Sequence, residues 1–396
     1  MISAIRFAVT VLIGRSSGAD ELGQYAVGFS ILMLVVVAQE SLLMSPYAVL
    51  GQREQQRRPI FAGCIFIHNL MLSAIAGGAL VVAGLTSPYW NTDAYSQLLL
   101  VLGCVLPFVL LHGFSRRLAI AHMKMRNVLV LDLVVALIQI AVLLLLVWNE
   151  SLTAASALVA IGLSSALGGT VWLFIHRSMF SFRWSEVRAQ FAVNWQFGRW
   201  ILAAQQVRTL HSAVVLWFLA AFANTTAAGI YAACAVVVTA ANPLLLGLSN
   251  IMEPKAARAF VDGGQRDLGR IVRKVTIFVF AVIAIYWVVI AIIGEPLIAW
   301  LFDNEVYLGH GHTIVVLAAG LLVRSVRIGW SYGLRAMGAP QWGFYAGSIE
   351  LMVIGVICVP LMTYYGVVGA AYCVLVGSVI GSLVRYYAFT KMLRSA

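Results

Sequence analysis

The sequence predicts an all-α integral membrane protein of about twelve transmembrane helices, and three observations carry that prediction. The chain is 62% hydrophobic and only 10% charged, whereas a water-soluble domain carries roughly a quarter charged residues. Apolar runs of about 20 residues, the length that crosses a bilayer, follow one another with short polar connections between them. The basic residues fall almost wholly in alternate connections, the pattern left when Lys and Arg are retained on the cytoplasmic side.

Apolar runs read against their breakers place the spans near 1-14, 24-50, 60-84, 95-115, 127-148, 153-176, 199-221, 225-249, 275-293, 312-334, 341-363 and 366-390. The opening run carries Arg6 within its apolar stretch and is followed at once by a second run, which argues for a first helix rather than a cleaved signal peptide. It is short. A run of this length reaches roughly 21 Å against a hydrocarbon core of about 30 Å, so this helix is expected to be missing its beginning.

Twenty basic residues lie on one side of the alternating connections, among them Arg57, Arg58, Arg116, Arg117, Arg183, Arg188, Lys255, Arg270, Lys274, Arg335 and Arg394, and only Arg15 on the other. The sparse side holds Asp20, Glu21, Asp93, Glu150, Glu295, Asp303 and Glu305. One missed span would invert every later connection, so the unbroken alternation supports the count and places both termini in the cytoplasm. The net charge of +11 is therefore a topology signal, strengthened by attraction to the lipid bilayer, and not a sign of nucleic-acid binding. The five cysteines sit inside apolar runs without paired spacing and read as small core residues.

Two cytoplasmic connections are longer than the rest. In 180-199, Trp184, Val187, Phe191 and Trp195 recur at helical spacing and predict a short helix along the membrane surface. The second, 253-274, is charged and expected to be helical in part. The first marks the midpoint of a pseudo-repeat: Gly23, Tyr25 and Ala26 open span 2 as Gly229, Tyr231 and Ala232 open span 8. The predicted organisation is a six-helix lobe over 1-180, an amphipathic connection over 181-198 and a second six-helix lobe over 199-396, with the lobes in parallel orientation.

Charges at membrane depth need a partner, water or a function, because each costs at least about 2.5 to 3.5 kcal/mol there. Arg324, Arg327, Ser331 and Arg335 lie three, four and four residues apart, which sets a basic stripe on one face of span 10. Span 7 adds Gln205, Arg208 and His211 or Ser212 on one face. Together they are candidates to line a water-filled cationic cavity; the alternative is that Arg208, Arg324 or Arg327 pairs with Glu350, Glu40 or Asp132 to tie helices together. Glu350 and then Glu40 are candidates for ion coupling, with a fixed salt bridge as the alternative for both. Arg385, near the cytoplasmic end of span 12, is expected to snorkel to the interface. His68, His112 and His211 lie on three different spans and read as polar lining or helix-to-helix hydrogen bonds before a metal site. No phosphate-binding glycine loop, zinc-helix pair or nucleophile elbow is present.

Several stretches resemble the multidrug, oligosaccharidyl-lipid and polysaccharide flippase superfamily, and within it the polysaccharide transporter branch. GRSSGADELGQYAV is similar to the family's entry into span 2, and FGRWILAAQQVRTL with TTAAGIYAA to its counterpart in the second half. EPKAARAFVDGGQRDLGRIVRK, GEPLIAWLFDNEVY and the long segment from LRAMGAPQWGF to VLVGSVIG are similar to later parts of the same fold, in the same order. The resemblance implies two lobes around a central cavity in the bacterial inner membrane. It further implies alternating access that moves an isoprenoid-pyrophosphate-linked oligosaccharide outward for polysaccharide export, beside other polysaccharide-assembly membrane proteins. Guanidinium forks suit such a headgroup, since they bind phosphate oxygens through paired hydrogen bonds. No cofactor is implied; a proton or sodium gradient is the energy source left open.

Two rivals stand beside this reading. A cation-coupled drug or metabolite exporter of the same fold would be expected to line its cavity with carboxylates, whereas this membrane interior is richer in arginine than in acid. A membrane-embedded polymerase or ligase would need a sizeable outer loop, and the longest outer connection, 294-311, is short and partly apolar. The topology is checked by fusions: alkaline phosphatase inserted at Asp303 should be active and at Lys274 inactive, and a fluorescent reporter after Arg394 should be bright. The opposite pattern would invert the orientation.

Overall fold

The computed structural model describes residues 2–53, 57–87 and 95–394, and Asp93 lies outside them. No strand occurs among the described residues. The chain forms two compact units, residues 1–209 and 210–396.

The first unit begins with α1 (Ile2–Ser16) and α2 (Gly18–Gln39), which passes through a π-helical turn at Glu40–Met44 into α3 (Ser45–Arg53). Then come α4 (Arg58–Thr86), α5 (Ser96–Ala121), α6 (Met125–Trp148), α7 (Ala154–Ile175) and the start of α8 (Trp184–Phe222). Its hydrogen bonds sort the helix ends into two groups. At one end, Ser17 Oγ donates to Leu152 O at 2.5 Å and Glu21 Oε2 accepts from Ala154 N at 2.5 Å, tying the starts of α2 and α7 together. At the other, Arg58 donates to Ala121 O at 2.7 Å, Ser181 N to Pro59 O at 3.0 Å, and Arg57 pairs with Glu186 at 2.7 Å. These are the two sides that the alternating loop charges assign.

The second unit holds the end of α8, α9 (Thr225–Thr239), α10 (Asn242–Phe302), α11 (Gly311–Ala336) and α12 (Gln341–Arg394). Two of these are not single rods. Within α12, Gly366 has φ +56°, a left-handed conformation open to glycine, and the chain reverses there. Gly377 packs on Ile354, Gly381 on Glu350, and Arg385 bonds to Gly343 O, so later residues meet progressively earlier ones as in an antiparallel helical hairpin. Within α10, Gly263 and Gly264 leave helical geometry, with φ +61° at Gly264. Gln265 then bonds to Met392 O at 3.3 Å, while Phe389 packs on Gly333. The start of the post-kink helix and the ends of α11 and α12 therefore share one side.

Among the described residues, eight helices are long and apolar enough to cross a membrane, or nine when Thr225–Thr239 and Asn242–Leu248, bent by 43°, count as one span. The second leg of the α12 hairpin, the short α1 and the long α8 bring the crossings to the expected twelve.

Two boundaries differ from expectation. The surface helix over 181-198 and span 7 are one unbroken 39-residue helix, α8, about 58 Å long at 1.5 Å per residue. No proline interrupts it, and Gly198 continues the helix where a Cβ would come 2.6 Å from Ser41 O. Span 9 also runs on past 293 to Phe302, through Pro296. A proline inside a transmembrane helix is tolerated when neighbours re-satisfy the freed carbonyl, and the connection to α11 shrinks to 303–310.

Helix contacts are set by small residues. Gly77 on α4 and Gly103 on α5 face each other so closely that a Cβ on Gly103 would lie 2.8 Å from Gly77 O and 2.6 Å from Val81 Cγ2. Backbones approach this way in membranes because packing, not water exclusion, drives helix association. Gly103→Leu should cost about 1–3 kcal/mol and lower the melting temperature in detergent. Gly78→Leu, with open space at its Cβ, should not; equal losses would remove the close-approach argument.

Candidate functional site

In the second unit, three polar side chains from three helical segments converge on one carboxylate. Glu350, on the first leg of the α12 hairpin, keeps only 3% of its side chain exposed. Its Oε2 accepts from Arg327 Nη1 of α11 at 2.6 Å, a short charge-assisted bond. Arg385 Nη1, on the second leg, lies 3.7 Å from the same oxygen. His211 Nε2 comes to 2.9 Å of Oε1 from the end of α8.

The local sequence explains the placement. Glu350 can lie against the second leg because position 381 is glycine, where a Cβ would sit 2.6 Å from Oε2. Arg385 is held by the backbone as well, donating to Gly381 O at 2.9 Å and Gly343 O at 3.2 Å. These bonds turn it into the protein, where it is buried. The expected snorkelling does not occur, because two carbonyls and a carboxylate within reach satisfy the guanidinium where it is. Arg324 lies one turn before Arg327 on α11, and its Nε is buried without a hydrogen-bond partner among the described residues. The buried Tyr231 of α9 lies near it.

Thus Arg327, His211 and Glu350 come together, with Arg324 on the same helix face. Arg335 does not join them: it is exposed and stacks over the Tyr332 ring at 5.3 Å. Gln205 and Arg208 belong to the first unit, where Gln205 is half-buried and Arg208 exposed. Glu40 is also in the first unit, at the opening of the π turn, and pairs with Arg117. Beside it, Gln39 donates to Asn69 Oδ1 at 2.5 Å and Leu110 O at 2.6 Å, joining three helices. Asp132 takes both oxygens to Arg116 Nε, at 2.9 and 3.0 Å, and has His112 at 4.0 Å. His68 Nε2 bonds Val187 O at 3.0 Å, a helix-to-helix contact.

Sequence reasoning missed Arg385 as a cluster member and Arg117 as the partner of Glu40. Spacing alone could not reveal either, since both contacts join positions far apart in the chain. The polar pair Gln39-Glu40 inside an apolar run was a visible signal for the first-unit network. Among the described residues no group of His, Cys, Asp and Glu is arranged to hold a metal ion.

The Arg327–Glu350 pair is open to a double-mutant cycle. Arg327→Gln and Glu350→Gln should each destabilise the protein by about 1–3 kcal/mol, and the double variant by less than the sum. Strictly additive losses in thermal unfolding would show that the pair does not interact.

The chain matches no protein-family model and no characterised protein by sequence. Its fold does match solved structures. A multidrug resistance MATE family transporter of the MOP superfamily, in an inward-facing conformation, superposes with TM-score 0.82 at 13% identity, over 100% of this chain and 96% of that one. The lipid II flippase MurJ, inward closed, superposes with TM-score 0.77 at 12% identity, over 98% and 85%. A MOP superfamily transporter from Pyrococcus furiosus, described as having a binding pocket of reverse polarity, gives TM-score 0.63 at 13% identity, over 99% and 95%. The chain therefore has the fold shared by these transporters and this flippase.

Proposed function

We propose that this protein is a flippase that carries a lipid-linked oligosaccharide with an anionic, isoprenoid-pyrophosphate headgroup from the cytoplasmic to the outer leaflet by alternating access. One observation supports the reading above the others. Arg327 and Arg385 both pair with the buried Glu350 in the second unit, and Arg324 lies one turn before Arg327 on α11, so the cluster is cationic. Guanidinium groups bind phosphate oxygens well where water is scarce, while the lipid tail stays in the bilayer. Arg208 and Gln205 of the first unit, the former exposed, are proposed headgroup contacts in their own right.

The second reading is a cation-coupled multidrug exporter, which draws support from the likeness to the MATE transporter. An organic cation would need acid at membrane depth. Here Glu350 is already paired with Arg327, and Glu40 with Arg117.

Reconstitution separates the two. In liposomes, a fluorescent lipid-pyrophosphate sugar should move between leaflets only when the protein is present. Arg208→Ala and Arg327→Ala should abolish that movement while membrane abundance stays normal. Transport retained in both variants, or ion-driven efflux of an organic cation without lipid movement, would overturn the proposal.

A further inference from the structure

The first half of α8 carries a second cationic feature, separate from the Glu350 cluster. Trp184, Arg188, Phe191, Trp195 and Arg199 follow one another at intervals of four, three, four and four residues, which sets them in one stripe along the helix. The helix buries a different face. Val187 is 8% exposed and Asn194 1%; His68 Nε2 donates to Val187 O at 3.0 Å, and Gly198 packs on Ser41 and Leu42 of the same unit. The stripe stands clear of that packing: Trp184 is 74% exposed, and Phe191, Trp195 and both arginines are exposed as well.

A face turned to lipid tails has another composition in this protein. Helix α6 exposes Leu129, Leu133, Leu137 and Leu144, all aliphatic. Rings alternating with guanidiniums suit the headgroup layer, where aromatic side chains settle and arginines reach phosphate level. The length of α8 agrees. At about 58 Å it exceeds a hydrocarbon core of about 30 Å; even tilted by about 40°, a straight crossing uses about 39 Å and leaves about a dozen residues over.

The charges of the stripe are also free to bind. The only acid within 184-199 is Glu186, and it is taken by Arg57 at 2.7 Å and Arg183 at 3.7 Å. Arg188 and Arg199 pair with no carboxylate among the described residues; Arg199 lies over the Trp200 ring at 5.8 Å.

We propose that this stripe is a docking site for anionic phospholipids of the leaflet that loop charge assigns to the cytoplasm. Arg188 and Arg199 take the headgroup phosphates, and Trp184, Phe191 and Trp195 lie against the glycerol and the upper acyl chain. An acidic protein would answer the two arginines alone. A phospholipid answers both halves of the stripe, because one molecule carries the phosphate and the chain. The site is independent of what the protein carries across the membrane.

The test titrates purified full-length protein in detergent with short-chain phosphatidylglycerol and short-chain phosphatidylcholine, with bound lipid counted by native mass spectrometry. A guanidinium at an anionic headgroup is worth about fivefold in affinity, so the wild type should bind the anionic lipid at least about tenfold more tightly. Arg188→Gln with Arg199→Gln should narrow the ratio to about threefold or less, while the paired Arg→Lys changes should keep most of it. Trp184→Ala with Trp195→Ala should weaken both lipids and leave the ratio where it was. Arg266→Gln with Arg273→Gln removes the same charge from exposed positions elsewhere on that side and should leave the ratio unchanged. The two arginines of the stripe are exposed, so their replacement should not move the melting temperature. Equal affinity of the wild type for the two lipids, the result expected of a face built for an acidic protein, would overturn the proposal. Equal narrowing by the 188/199 and 266/273 variants would overturn it too, since the preference would then belong to net charge and not to α8.

Discussion

A peptide group in hydrocarbon has no water to bond to, and nearly everything else about this protein follows from that constraint. It forces the backbone into helices, and it forces each ionised side chain at membrane depth to find a counter-charge, a carbonyl or an aqueous path. In the first unit Asp132 pairs with Arg116 and Glu40 with Arg117. Pairs of this kind are close to neutral in charge and serve to hold helices in register. In the second unit two arginines, Arg327 and Arg385, share the single carboxylate of Glu350, with Arg324 one turn away on α11.

The backbone details serve the same placement. The π turn at Glu40–Met44 inserts an extra residue into the helical repeat, and such turns recur at functional positions. Its effect here is concrete: Gln39 points inward to Asn69 and Leu110 O, while the next residue, Glu40, reaches Arg117. In the second unit, the reversal at Gly366 folds α12 back on itself, and that hairpin brings Glu350 and Arg385 to one level. The Gly381 carbonyl and the Glu350 carboxylate then share one guanidinium. A straight helix would hold the two residues far apart.

Fold alone does not separate a drug exporter from a lipid flippase, since the matched structures include both kinds. The sign of the charge at membrane depth is the better discriminator. Arginine surplus suits an anionic headgroup and disfavours an organic cation, and the surplus in the second unit is a property of named side chains.

Much of this architecture is legible in the sequence for a physical reason: hydropathy and loop charge are local, additive signals. Twelve crossings, their alternation and the stripe Arg324-Arg327 on one face follow from spacing alone. The signals weaken where a breaker is overruled by packing. Helix α8 runs through Gly198, which packs against Ser41 and Leu42, and α10 runs through Pro296. Charge partners were beyond reach for a different reason. That Arg385 turns inward to Glu350, and that Glu40 belongs to Arg117, depends on a hairpin at Gly366 and on helices met across long stretches of chain. Apolar spacing is enough to place arginines inside the membrane. Which of them share a carboxylate is settled by packing, because a side chain in hydrocarbon takes whichever partner comes within reach.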